Sequence, residues 1–107
     1  MDKEPVRFGF ILLPNFTLTA FSGMLDVLRL ASDEGDHSRP VRCAWQVIDE
    51  TPAPVRSSSG IQVVPSELLG DPARFDYVVV VGGLLQRPPV SSAVLEFIRD
   101  AGSKDVH

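Results

Sequence analysis

The stretch Tyr77-Val78-Val79-Val80-Val81-Gly82-Gly83 limits what this chain can fold into more than any other. Four consecutive valines are too few and too β-branched for a helix, and they lack the alternation of a strand with one wet face. They predict a strand buried on both sides, the kind found at the centre of a parallel α/β sheet. The two glycines then fall where ligands bind in open α/β folds, beyond the carboxyl ends of the strands. There a missing Cβ lets main-chain N–H groups approach a bound molecule. Gly82 and Gly83 carry two readings at this point, ligand contact and a tight turn at positive φ, and both can hold together.

The flanking sequence supplies the rest of such a sheet. Val6 to Leu13 begins with alternation and ends in a continuous apolar run, a strand closed by Pro14-Asn15. From Thr17 to Ser32, Leu18, Phe21, Leu25 and Leu28 recur at helical spacing, and Gly23 inside this helix suggests close approach to a strand or a partner subunit. After a polar loop, Val41 to Ile48 reads as a second strand with Cys43, Trp45 and Val47 on one face. Val55–Ser59 and Ile61–Val64 suggest a hairpin flap at the sheet edge, and Ser66 caps a single helical turn through Leu69. Beyond the glycines, Ser91 or Ser92 opens a helix with Val94, Phe97, Ile98 and Ala101 on one face and Gly102 as its left-handed stop. Strand and helix alternation calls for a further strand after it, so these 107 residues are expected to be an unfinished sheet. As an isolated monomer they should be poorly stable, with apolar surface open on the last helix and at a sheet edge.

Composition narrows the function. A net charge of −4 with no basic patch argues against this segment gripping a phosphate backbone, so any DNA contact belongs to a domain elsewhere. The apolar runs stop well short of the roughly 18 residues of a membrane span. The start Met1-Asp2-Lys3-Glu4-Pro5 has no signal-peptide pattern, and a cytoplasmic protein without membrane contact is expected. Cys43 is the single cysteine and lies within a strand rather than on a strand-turn-helix elbow, which reads as a buried structural thiol. His37 and His107 give no metal-ligand spacing with it; no metal and no cofactor are expected, and His107 should fray. Asp49 and Glu50 are adjacent in extended chain, point to opposite faces and serve a turn. Ser57-Ser58-Ser59-Gly60 is either a set of hydroxyls for a ligand or a hairpin loop.

In order, Phe10 to Phe16, the helix with Gly23 and Leu25-Asp26-Val27-Leu28-Arg29-Leu30-Ala31, Pro54 to Ile61 and Val78 to Gly83 resemble the ThiJ/PfpI or glutamine amidotransferase-like family. The branch most similar is the N-terminal half of AraC-type transcriptional regulators. The resemblance implies the N-terminal portion of a flavodoxin-like three-layer α/β sandwich with a mainly parallel sheet. It implies a homodimer that binds a small-molecule effector, a polar metabolite of the amino acid or quaternary amine class, with a helix-turn-helix domain outside this chain. The implied ligand-binding residues are Pro14, Asn15, Ala20, Gly82, Gly83 and Leu84. Enzymatic members use a cysteine on an elbow beyond the position matching Gly102, and an acid whose place, counted from Pro14 with Gly23 in register, is occupied by Ala20. An alanine neither holds nor relays a proton. The expectation is therefore a sensor with no catalytic residue in this chain; the alternative is a cysteine-dependent hydratase or amidase-like hydrolase with its nucleophile beyond residue 107.

Overall fold

The computed structural model describes residues 5–32, 43–83 and 90–107. Strand β1 (Val6–Leu12) is followed by helix α1 (Leu18–Ser32), β2 (Cys43–Asp49), β3 (Val55–Arg56), β4 (Gln62–Val63) and β5 (Glu67–Leu68). A 3-10 turn at Pro72–Arg74, β6 (Tyr77–Val81) and helix α2 (Ser92–Ser103) complete it. Four strands form a parallel sheet in the order β5-β2-β1-β6. Phe10 lies opposite Val47 on one side and Val79 on the other. The helices cover opposite faces, as the three-layer expectation required.

Strand alternation sends the two sides of β1 into two cores. Phe10 and Leu12 join Phe16, Phe21, Val55 and Val81 beneath α1, which contributes Leu18, Leu25 and Leu28. Ile11 and Leu13 meet Ile48, Phe75, Val94 and Phe97 beneath α2. The α1 stripe is the one its spacing predicts, but Met24, Val27 and Leu30 lie outside it and are exposed. α2 starts where Ser91 Oγ accepts the Val94 N–H at 3.3 Å, satisfying one of the donors a helix start leaves open.

Several expectations are corrected. Among the described residues β6 pairs with β1 on one side and with His107 on the other, and Tyr77 and Val80 are 42% and 41% exposed, so its faces are less covered than four valines predict. An all-valine strand reports that both faces are meant to be covered, not which neighbours cover them. Ser66–Leu69 is no helical turn; Glu67–Leu68 pairs with Ile48–Asp49 of β2, because an open parallel edge there offers hydrogen bonds that a lone turn cannot match. The hairpin β3–β4 exists as an antiparallel pair but is a separate two-stranded sheet, docked on the β1–α1 loop through a bridge between Phe16 and Ser57. A Cβ on Gly23 would meet nothing within 4 Å, so close approach to a strand of this chain does not explain that glycine. Gly102 lies inside α2, and the left-handed residue after it is Asp105, at φ 59°.

His107 is not frayed. Its N–H donates to the Asp76 carbonyl at 3.1 Å and its carbonyl accepts the Val78 N–H at 2.7 Å, the pattern of a residue paired in parallel with Tyr77. The polar loop containing His37 and the start of the second strand at Val41 lie outside the described residues.

Candidate functional site

The carboxyl ends of β1 and β6 meet at the loop Leu13–Thr17. Leu13 donates its N–H to the Val81 carbonyl at 3.0 Å, and Thr17 donates to the Gly82 carbonyl at 2.9 Å. The β1–α1 loop is thereby sewn to the end of β6. Asn15, at φ 67°, takes the left-handed conformation that asparagine tolerates better than most residues. An ideal Cβ on Gly83 would lie under 3.0 Å from the Asn15 carbonyl oxygen, a separation real Cβ atoms do not show. This close approach, and not a turn at positive φ, requires the glycine; Gly60 and Gly70 are the glycines at positive φ among the described residues.

Beside this junction runs an open groove of about 420 Å³, lined by Thr17, Ala20 and Met24 from the α1 side and by Val79 to Gly83 from β6. Ala20, Gly82 and Gly83 therefore share one groove, while Pro14 and Asn15 are exposed on the adjoining loop. Leu84 lies outside the described residues. Thr17, Met24, Val79, Val80 and Val81 were missed as lining groups. Met24 was within reach of sequence reasoning, since it stands four residues from Ala20 on one helix face. Among the described residues of this lining the Thr17 hydroxyl is the one polar side-chain group, and none of their side chains ionises near neutral pH. The groove can hold a molecule and orient it against main-chain groups.

The hairpin closes the far side of the loop. Asn15 donates its N–H to the Arg56 carbonyl at 2.8 Å, and Ser58 donates to the Phe16 carbonyl at 2.9 Å. Of the three serines, Ser57 is 1% exposed. Its Oγ accepts the Ile61 N–H at 3.1 Å and bonds the Ser59 hydroxyl at 3.0 Å. The tri-serine run thus includes an internally bonded loop, the second of the two readings its sequence allowed.

The solved structures similar to this chain share its architecture. An AraC family transcriptional regulator from Pseudomonas putida superposes with a TM-score of 0.71 at 28% identity, over 94% of this chain and 52% of that one. A ThiJ/PfpI family protein from Pseudomonas syringae gives 0.72 at 16% identity, over 96% and 40%. A DJ-1 superfamily protein from Agrobacterium tumefaciens gives 0.65 at 18% identity, over 94% and 50%. The chain has the ThiJ/PfpI fold. In sequence it is 28% identical over 83 residues to the HTH-type transcriptional regulator GbdR of Pseudomonas aeruginosa, covering 78% of this chain and 22% of that protein. No protein-family model matches the chain. This chain therefore spans about half of the solved regulator and less than a quarter of the curated one.

Within this ThiJ/PfpI-type sheet the other chemistry-bearing residues stand apart from the groove lining. Cys43 opens β2 and is half-buried rather than fully buried. Asp49 ends β2 with its Oδ1 accepting the Glu50 N–H at 2.7 Å. Burial raises its carboxyl above the ordinary range; that hydrogen bond works against the rise and the Glu50 charge adds to it. Among the described residues no three His, Cys, Asp or Glu side chains come together. No described helix is long and apolar enough to cross a membrane. A second cavity, of about 570 Å³, lies at the amino end between Arg7, Asp76, Lys104, Asp105 and His107, where Arg7 pairs with Asp76 and Lys104 with Asp71 and Asp100.

Proposed function

We propose that residues 1–107 are the N-terminal part of one ligand-sensing domain in an AraC-type transcriptional regulator. The domain binds a small polar metabolite of the amino acid or quaternary amine class in the groove beside Gly82 and Gly83. Pro14, Asn15, Ala20, Gly82, Gly83 and Leu84 are the residues assigned to it. The observation that carries this reading is the groove at the carboxyl ends of the strands, where an alanine, Ala20, stands opposite the glycine pair. The described wall residues carry no ionising group, which favours recognition over activating a thiol or protonating an intermediate. Similarity to two transcriptional regulators supports the same direction. The regulator acts in the cytoplasm as a homodimer, and DNA is held by a helix-turn-helix domain outside this chain. Effector binding biases that domain only through different affinity for two dimer geometries.

Calorimetry of the complete regulator against amino acids and quaternary amines, followed by DNA titration with and without each binder, tests the proposal. A binder is expected to change DNA affinity by roughly 5- to 150-fold, the usual span of allosteric coupling. DNA affinity indifferent to every metabolite that binds refutes sensing.

A further inference from the structure

Two segments far apart in sequence, the end of β6 and the hairpin β3–β4, are both tied to Asn15, Phe16 and Thr17. The main-chain groups of these three residues divide between them. The Asn15 N–H goes to Arg56 of the hairpin, while its carbonyl presses on Gly83. The Phe16 carbonyl accepts from Ser58 of the hairpin, while the Thr17 N–H goes to Gly82. The left-handed backbone at Asn15 sets this division, since it turns the N–H and the carbonyl of one residue toward different neighbours. Phe16 is 0% exposed, with its ring edge-on to Phe21 at 6.1 Å, so the middle of the tripeptide is wedged into the core under α1. Close-packed interiors pass a displacement on rather than absorb it.

We infer that Asn15–Thr17 is a clasp that makes the Gly82–Gly83 end of β6 and the hairpin move as one body, so that a molecule seated against Gly83 repositions the hairpin. The coupling stands on geometry alone; its use as a regulatory route rests on the sensing function proposed above. Gly83 belongs to the clasp as its contact surface, because any side chain there must push the Asn15 carbonyl away.

Amide hydrogen exchange on the protein carrying Gly83→Ala tests the clasp. The amides of Asn15 and Ser58, both bonded across the hairpin junction, should exchange at least tenfold faster than in the parent. Acceleration confined to residues 82–83 overturns the proposal. A second pair of variants keeps the test decisive if Gly83→Ala does not fold. Asn15→Val, whose β-branch resists positive φ, should accelerate exchange at Thr17 and Ser58 together, and Asn15→Gly should leave both within about twofold of the parent because glycine holds that conformation freely. Parent-like rates at Ser58 in Asn15→Val refute the clasp. Clear coupling in these variants, alongside a regulator whose DNA affinity ignores every binder, would uphold the clasp and refute sensing instead.

Discussion

The two ends of the sheet are built from different materials. At the carboxyl end the joints are main-chain hydrogen bonds of 2.8 to 3.0 Å between Leu13–Thr17, Val81–Gly82 and Arg56–Ser58, closed around buried Phe16 and Ser57. At the amino end the main-chain bonds among Arg7, Asp76, Val78 and His107 are supplemented by side chains in water. Asp76 accepts the Arg7 backbone N–H at 2.8 Å and approaches its guanidinium at 3.5 Å, and Lys104 reaches Asp71 at 3.1 Å and Asp100 at 3.2 Å. Buried joints fix geometry to a fraction of an ångström and are costly to break, whereas exposed ion pairs are screened and contribute little. A site that must hold its shape belongs at the first kind of end.

That contrast can be broken by substitution. The largest effect is expected from Phe16→Ala, which should lose about 3–5 kcal/mol in urea unfolding by emptying a fully buried ring site; a loss near 1 kcal/mol would mean the loop is held by its hydrogen bonds alone. Ser57→Ala should cost about 0.5–1.5 kcal/mol, because the buried Ser57 hydroxyl gives up its hydrogen bonds to the Ile61 N–H and the Ser59 hydroxyl. Asp76→Asn at the other end should cost at most about 1 kcal/mol, since both side chains of its ion pair are nearly half exposed.

The pH dependence sharpens the same difference. The Asp76 carboxyl is held below its ordinary value first by the Arg7 backbone N–H and then by the guanidinium. A depressed folded pKa contributes stability above the unfolded value of about 4, and that contribution is lost as pH falls through the folded pKa. The gap between parent and Asp76→Asn should therefore be full at pH 7 and close below pH 4; a gap that persists in acid would trace to packing instead. Smallest of all is Lys104→Ala. Its ammonium is held above its ordinary range by Asp71 and then Asp100, but both pairs are open to water, so thermal melts in 0.5 M salt should not distinguish it from the parent.

Much of this was legible beforehand. The periodicity of Leu18, Phe21, Leu25 and Leu28 and the alternation through Phe8, Phe10 and Leu12 gave α1 and β1, because helix and strand geometry repeat locally. Ser91 capped α2 as its position suggested. Less legible were features set by neighbours distant in sequence. Glu67–Leu68 became a strand because β2 had an open edge. Asp105 took the left-handed stop expected of Gly102, since α2 runs on to Ser103. Thr17 and Val79 entered the groove through the way α1 lies across β6, which no local pattern encodes.

The valine strand and its glycines show where the division falls. Sequence alone determined that Tyr77 to Val81 is a strand and that two residues without a Cβ follow it, since β-branching and a missing Cβ are properties of the residues themselves. Tertiary structure decided that the strand pairs with β1, and that the backbone pressing on Gly83 is Asn15. Both depend on which segments meet, and a meeting between residues 15 and 83 leaves no periodic mark in either.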